Sequence, residues 1–245
     1  MRIGLFVSCL PMAEKIIGMR FFSAILVVHL LLIGSGFCYS QSFVNLNFES
    51  ASLSGLSGNI LPAASAFPDW SAYYGSTSDP TQINVSSVFY DSVSTGGASI
   101  DLEGSNAPSG GGPLPLQGNY SALLEGSIPT AGTTASLGQT GTIPGTAQSL
   151  VFWANIGGSL EVSFDGQALS LVDVSNAMNY TVYAANISSF AGETGQLLFT
   201  APVQTETELD NIQFSTSPVP EPGPVALCAL GGLSLVCRWR KISSA

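Results

Sequence analysis

The chain has 245 residues, 45% of them hydrophobic, and a mean hydropathy of +0.37. Such a chain can bury a core and is not mainly disordered. Its net charge of −10 is unevenly spread, because residues 43–217 contain no Lys, Arg, His or Cys yet hold fourteen of the sixteen acidic residues. All six cations lie near the two ends: Arg2, Lys15, Arg20, Arg238, Arg240 and Lys241.

The cation-free middle excludes several classes of site. Nucleic acids and anionic lipid surfaces are bound through Lys and Arg, so we expect no nucleic-acid partner. Ser-His-Asp and Cys-His catalytic systems lack their base, and His/Cys zinc sites and phosphate-binding loops lack their side chains. Only carboxylates, hydroxyls, amides and the backbone remain for chemistry.

The first predicted element is an export signal. Arg20 precedes an apolar run at 21–33 and three small residues at 34–36, which is the order typical of a secretory signal. The run is shorter than the roughly 20 residues of a comfortable membrane span. We place cleavage after Ser40, so residues 1–40 form the signal peptide, with Met19 as an alternative start. A lipoprotein signal at Cys38 is a second alternative, although the preceding Phe37 is bulkier than a lipobox normally has.

The middle of the chain predicts β-strands. Short runs of alternating apolar and polar residues recur between Gly, Pro, Asn and Asp, and no helical period is present. The clearest unit is a hairpin at 159–172, in which Asp165-Gly166 turns the chain between two alternating runs. The other predicted strands lie at 43–48, 83–90, 99–102, 120–124, 149–154, 180–184, 197–200 and 209–214.

These strands predict a single all-β domain at 41–217, a jelly-roll-like sandwich of about nine or ten strands. The Gly- and Pro-rich stretch at 104–118 reads as a long loop within that domain, because strands on both sides are needed to complete one sandwich. The terminal signal helix and a short C-terminal transmembrane helix flank it.

The edges of the middle resemble galactose-binding-like jelly rolls, among them carbohydrate-binding modules. The resemblance lies in the runs at 45–49, 160–166, 195–199 and 209–212. It implies a structural calcium that ties the first strand to the last, at the positions of Glu49 and Asp210. Asp210 shares the sequence parity of Ile212 and Phe214, so we expect its carboxylate on an apolar face, where burial is costly without a cation or hydrogen-bond donors. The alternative is a solvated or backbone-capped Asp210.

The resemblance also implies binding to a glycan. Trp70, Tyr73, Tyr74 and Tyr90 are candidate sugar platforms because they lie in a loop-rich stretch, although a core position is the competing interpretation for Trp70. Trp153 is expected in the core.

Catalysis would have to use carboxylates. Asp101 and Glu103 share one strand face, and Glu206, Glu208 and Asp210 form a second acidic run. Paired carboxylates suffice for glycoside hydrolysis, but acidic pairs on strand faces are usually solvated surface. We therefore expect no enzyme, with a glycosidase or lyase as the remaining catalytic alternative.

The C-terminus at 218–245 resembles the bacterial PEP-CTERM sorting signals. It has the motif Val219-Pro220-Glu221-Pro222, a short apolar helix at about 224–237, and a basic tail containing Arg238, Arg240 and Lys241. Cys228 and Cys237 within the helix and Trp239 within the tail depart from the pattern. The resemblance implies an exosortase-type processing enzyme as partner.

Physical arguments agree with this interpretation of the tail. About 13 helical residues rise only about 20 Å, so the helix would be a weak and transient membrane anchor. The positive-inside rule places the basic tail in the cytoplasm and the middle of the chain outside. A GPI signal would end apolar, and a buried C-terminal helix would leave the Pro-rich joint and basic tip unexplained.

Together these features predict an exported, non-catalytic protein of the cell surface or extracellular matrix. It would be anchored in the membrane at least transiently and then lie in the envelope or outside the cell. A lectin-like module on exopolysaccharide is the alternative function.

Overall fold

A computed structural model describes residues 42–76, 82–92, 96–105 and 113–219. The predicted signal peptide and the sorting residues Pro220, Glu221, Pro222, Arg238, Arg240 and Lys241 lie outside the described residues. Within the described residues, no helix is long and apolar enough to cross a membrane.

The described chain is an all-β sandwich of two sheets, as the strand pattern predicts. The first sheet has eight strands in the order β1 Ile60–Pro62, β4 Ser87–Tyr90, β5 Ser99–Gly104, β6 Tyr120–Glu125, β14 Glu206–Ser215, β8 Ser149–Gly157, β12 Thr181–Asn186 and β11 Leu171–Asn176. Within it β4 and β5 run parallel, and the other neighbours run antiparallel.

The second sheet is antiparallel and has six strands. Their order is β10 Gln167–Ala168, β9 Glu161–Phe164, β13 Thr194–Ala201, β7 Thr133–Thr142, β2 Ser71–Ser76 and β3 Ile83–Val85. A one-turn helix, α1 Ala63–Ala66, and a 3₁₀ turn, Ser188–Phe190, complete the described secondary structure.

The core lies between the two sheets and is rich in aromatic rings. Phe152 on β8 meets Phe199 on β13 edge-on, with ring centroids 5.3 Å apart. Trp70 lies between Phe199 and Phe48, at 6.2 and 5.5 Å. Because strand side chains alternate between faces, each strand that contributes these residues also presents a second set to the outside of the sandwich. The polar, acidic and exposed aromatic side chains considered as functional candidates lie on these outer faces.

The hairpin predicted at Asp165-Gly166 is present. Its two turn residues have φ of +47° and +75°, and they join β9 to β10. A two-residue turn with positive φ at both positions matches the twist of its flanking strands.

The described residues form fourteen strands rather than nine or ten. Most predicted strands are present with shifted ends, and the run at 83–90 is divided between β3 and β4. The additional strands carry weak sequence signals: β1 has three residues, and β7 is built of Thr, Ser, Gly and Gln around two apolar positions.

The predicted opening strand at 43–48 is wrong. Asn45 and Phe48 have φ of +50° and +56°, which is incompatible with a continuous strand. Instead, the side-chain amide of Gln139 takes the place of a neighbouring strand. Its Oε1 accepts from the backbone N–H of Val44 at 2.8 Å, and its Nε2 donates to the Val44 carbonyl at 3.0 Å and to the Asp69 carbonyl at 3.1 Å.

The expectation that Asp210 shares a face with Ile212 is also wrong. The pairing of β14 with β8 shifts between Asp210 and Gln213, and Asn211 has a φ of +48°. This bulge reverses the alternation of the strand. Leu209 and Ile212 both face the core, while Asp210 faces outward on the same side as Glu208.

Candidate functional site

The outer face of the six-stranded sheet carries Tyr73. The Tyr73 ring and the side chains of Leu198 and Gln196 close over Gly138, where an added Cβ would lie 2.9 to 3.3 Å from all three. Nε2 of Gln196 donates to the Tyr73 hydroxyl at 3.2 Å. Gly138 therefore leaves the space that the half-buried Tyr73 ring partly occupies.

Leu198, which contacts this site beside Tyr73, also lines a shallow groove of about 720 Å³. The groove crosses β2, β7, β13 and β9, and its lining is mixed, with Leu160, Val162, Leu169 and Pro202 among its apolar residues. Its polar side chains belong to Ser76, Gln82, Thr134, Glu161, Ser163 and Thr200. The hydroxyl of Thr200 lies 2.8 Å from that of Ser136. Glu161 is the single acidic residue among the described groove-lining residues.

Three of the four aromatic candidates are not available on this face. Trp70 is only 5% exposed and its Nε1 donates to the Asn45 carbonyl at 3.0 Å, so it belongs to the core and cannot serve as a sugar platform. Tyr74 follows Tyr73 on the same strand and points to the opposite side, where it packs against the core. Tyr90 also packs against the core. The opposite faces of Tyr73 and Tyr74 could not be predicted, because no strand was predicted at Ser71–Ser76.

Trp153 is the converse case. It was expected in the core, but it lies half-buried on the outer face of the eight-stranded sheet, because its neighbours Phe152 and Ala154 occupy the inner face. Its ring stacks on that of Tyr180 at 4.2 Å with an interplanar angle of 7°. The all-apolar run at 150–154 concealed the alternation.

A layer of buried carboxyl groups covers the outer face of β5, β6 and β14. Ile100, Leu102, Leu124 and Leu209 on these strands face the core, so the residues between them point away from it. The outward acidic residues are nevertheless almost fully enclosed. Their exposures are 1% for Asp101, 0% for Glu103, 3% for Glu208 and 0% for Asp210, and Asp91 beside β5 has 2%.

Burial raises the pKa of each of these carboxyl groups. The pKa of Glu103 rises to about 9, because burial is reinforced by the charges of Asp101, Asp91 and Glu208. Burial likewise raises the pKa of Asp101 and Glu208 to about 7, against the opposing hydrogen bonds from Ser99 and Ser121. These groups hold protons at a pH at which an exposed carboxylate is ionised.

The carboxyl layer has few hydrogen-bond donors, and two of its carboxyl groups share the hydroxyl of Ser99. The hydroxyl oxygen of Ser99 lies 2.6 Å from Oδ2 of Asp101 and 2.5 Å from Oε2 of Glu125. A hydroxyl has one hydrogen to donate, so it can satisfy only one carboxylate at a time. Asp101 and Glu125 therefore compete for the same Ser99 hydrogen.

Glu49 and Asp210, the pair predicted to hold calcium, are near enough for the charge of Glu49 to contribute to raising the pKa of Asp210, which burial takes to about 7. Glu49 already accepts from the backbone N–H of Asn119 at 2.7 Å and of Tyr120 at 3.1 Å, and from Nδ2 of Asn119 at 3.0 Å. Oδ1 of Asp210 accepts from the N–H of Asn211 at 2.6 Å. Oδ2 of Asp210 is buried without a partner, and the backbone N–H of Gln117 also lowers the pKa of this carboxyl group. Among the described residues no group of three or more Asp, Glu, His or Cys side chains could hold a metal, so the calcium site at this pair stays a prediction.

No family model and no curated protein matches the chain. Among solved structures, a cyclase from Fischerella sp. TAU is 16% identical over 74% of this chain and 98% of its own, with a TM-score of 0.42. TmCBM61 in complex with β-1,4-galactotriose is 14% identical over 71% of this chain and 97% of its own, with a TM-score of 0.33.

A third structure is the enzymatically active domain of tailspike protein 4 of bacteriophage CBA120. It is 15% identical over 72% of this chain, with a TM-score of 0.37. The present chain spans 21% of the length of that tailspike chain. At TM-scores below 0.5 these likenesses carry no functional argument, and the function is argued from the chain's own surfaces.

The buried carboxyl layer makes the stability of the metal-free protein depend on pH. Because the pKa values of Asp101, Glu103, Glu208 and Asp210 are higher in the folded than in the unfolded chain, the folded state binds more protons between pH 4 and 9. The stability they contribute is present below pH 4 and is lost as the pH rises through 7 to 9. In EDTA, we expect the melting temperature to fall by at least about 5 °C from pH 5 to pH 9.

The measurement is a thermal melt at pH 5, 7 and 9. Asp173→Asn, which removes an exposed carboxylate of β11, serves as the control and should keep the wild-type slope. A melting temperature that is constant or rises from pH 5 to pH 9 would contradict the raised pKa values of the buried carboxyl groups.

Proposed function

We propose that the β-sandwich is a non-catalytic module that binds an uncharged polysaccharide at the groove beside Tyr73. The observation that carries this proposal is the mixed lining of the groove, in which hydroxyl and amide side chains alternate with apolar ones, together with the Tyr73 ring that lies next to Leu198 over Gly138. Hydroxyl and amide groups exchange hydrogen bonds with sugar hydroxyls, and an aromatic ring covers the apolar face of a sugar.

Charge limits the class of polysaccharide. The groove contains Glu161, and residues 43–217 contain no Lys, Arg or His to attract an anion. A uronic-acid or sulfated polymer would bring negative charge to a domain that already has a large excess of it. The proposed ligand is therefore a neutral glycan, such as a galactan or a glucan.

The same groove favours binding over hydrolysis. Glycosidases normally use two carboxyl groups on opposite sides of the scissile bond. Among the described groove-lining residues only Glu161 is acidic, and the acidic pairs at Asp101/Glu103 and Glu206/Glu208 belong to the other sheet. We therefore place no catalytic residue in this domain.

Replacement of Tyr73 tests the proposal. We expect Tyr73→Ala to weaken binding to a neutral polysaccharide by about 10-fold or more, since the ring's burial against a sugar is worth about 1.5 to 3 kcal/mol. Tyr73→Phe keeps the ring and should retain most of the affinity. Affinity electrophoresis or isothermal calorimetry against neutral and uronic-acid polysaccharides measures the effect.

Tyr180→Ala is the matched control, because it removes a half-buried tyrosine from the outer face of the opposite sheet. It should bind like the wild type. The proposal fails if Tyr73→Ala binds normally with an unchanged melt, or if the uronic-acid polymers bind best.

Export and sorting complete the proposed function. The signal at 1–40 would export the chain, and the motif at Val219–Pro222 with its apolar and basic segments would pass it to an exosortase-type enzyme, leaving the module in the envelope or matrix.

A calcium ion at Glu49 and Asp210 would hold the N-terminal segment against β14. Mass spectrometry of the mature protein should show loss of Lys241, and an intact basic tail would count against the sorting proposal.

A further inference from the structure

One line of directly paired residues crosses the six-stranded sheet and joins Tyr73 to the groove. Tyr73 on β2 is the register partner of Ser136 on β7. Ser136 is in turn the partner of Thr200 on β13, and Thr200 is the partner of Glu161 on β9. Register partners of antiparallel strands lie side by side on the same face of a sheet. We call these four residues the cross-strand row.

The row lies on the outer face of the sheet. Each of its members is next in sequence to a residue of the core, and these core residues are Ala72, Leu137, Phe199 and Val162. Since successive side chains of a strand point to opposite faces, the row points outward. Its two ends are the half-buried aromatic ring of Tyr73 and the exposed carboxylate of Glu161.

The middle of the row is a hydrogen-bonded floor. Ser136 is fully buried, and its hydroxyl oxygen lies 2.8 Å from that of Thr200 and 3.5 Å from Nε2 of Gln82. Gln82 and Thr200 are half-buried and line the groove, with Leu198 as an apolar neighbour. A ligand that follows the row therefore meets the amide of Gln82 and the hydroxyl of Thr200 between the ring and the carboxylate.

The two ends of the row are too far apart for a small sugar. Three strand spacings separate β2 from β9, which is about 14 Å at roughly 4.8 Å for each spacing. A disaccharide on the Tyr73 ring would end before it reached Glu161. A longer linear chain that lies across the strands would contact both residues.

The chemistry of Glu161 suits a hydroxyl-rich, uncharged ligand. Residues 43–217 contain no Lys, Arg or His, so this exposed carboxylate has no ion-pair partner in that part of the chain. An ionised carboxylate accepts hydrogen bonds through two oxygens, and such bonds are stronger than those between neutral groups. Two sugar hydroxyls can donate to it, whereas a uronic acid would be repelled.

We propose that Glu161 is a second ligand-binding residue of the groove, and that the module binds a linear neutral glycan longer than a disaccharide, laid along the cross-strand row. Tyr73 covers the apolar face of one sugar, and Glu161 accepts hydroxyls from a sugar further along the chain. This inference rests on the proposed function, because it takes the groove beside Tyr73 as the glycan site.

A length series tests the inference. The full-length protein is titrated by isothermal calorimetry with oligosaccharides of two, four and six residues, cut from the galactan or glucan that binds best. The affinity of the wild type should rise at least about fivefold from the disaccharide to the hexasaccharide. Glu161→Ala should weaken hexasaccharide binding by about fivefold or more, because it removes hydrogen bonds to a charged group, and should leave the disaccharide unaffected. Tyr73→Ala should weaken both.

Two further variants serve as controls. Asp173→Ala removes the same charge from an exposed position on β11 of the other sheet, so it should bind every length like the wild type. Glu161→Gln keeps the shape of the side chain and one acceptor oxygen, so it should retain part of the hexasaccharide affinity. Because Glu161 is exposed, neither of its variants should change the melting temperature.

The outcomes separate this inference from the proposed function. A loss in Glu161→Ala that is confined to the longer ligands supports it. Hexasaccharide binding by Glu161→Ala at wild-type affinity overturns it, as does an equal loss for the disaccharide and the hexasaccharide. Equal wild-type affinity for all three lengths overturns this inference and leaves the proposed function intact. Absence of binding at every length and to the polymer overturns both.

Discussion

The burial of carboxyl groups in a domain without cations is the constraint on which the rest of this structure depends. Asp101, Glu103, Glu208 and Asp210 lie on the outer side of a β-sheet, where solvent would normally keep them ionised, but they are almost completely enclosed. The desolvation cost of a carboxylate is far larger than the roughly 5 to 15 kcal/mol by which a domain is stable. Near neutral pH the layer therefore holds protons that exposed carboxylates would have lost.

This constraint gives the two outer faces of the sandwich different chemistry. The eight-stranded sheet buries carboxyl groups whose pKa values are raised. The six-stranded sheet leaves open a groove of mixed polar and apolar lining, in which Glu161 is the one acidic residue among the described lining residues. The proposed glycan site and the buried acids therefore lie on different sheets.

The sequence predicted the fold class and most strands because alternating apolar residues are a local signal. The Asp165-Gly166 turn was predictable for the same reason, since both residues tolerate positive φ. The segment at 43–48 was not, because its partner is the side chain of Gln139, about ninety residues away. Asp210 was assigned to the wrong face because a bulge at Asn211 leaves no mark on the alternation.

The candidate site residues were also only partly predictable from the sequence. Tyr73 and Tyr74 are adjacent in sequence, and only the strand placed them on opposite sides of the sheet. The i and i+2 spacing of Asp101 and Glu103 predicted a shared face but suggested solvated surface, because the alternation does not show that the segments before and after β5 approach the acids through the backbone of Ser92, Leu116 and Gln117. Strand alternation therefore decided the accessible ring, and loop packing contributed to the burial of the acids.

The count of protons bound by the folded chain tests the central claim most directly. Potentiometric titration of the metal-free protein, native and in denaturant, gives the difference in bound protons at each pH. With carboxyl pKa values of about 7 to 9, the native protein should hold at least about two more protons than the denatured chain at pH 6. Coincident titration curves between pH 5 and 8 would contradict the account, because the acidic layer would then be ionised in the folded state.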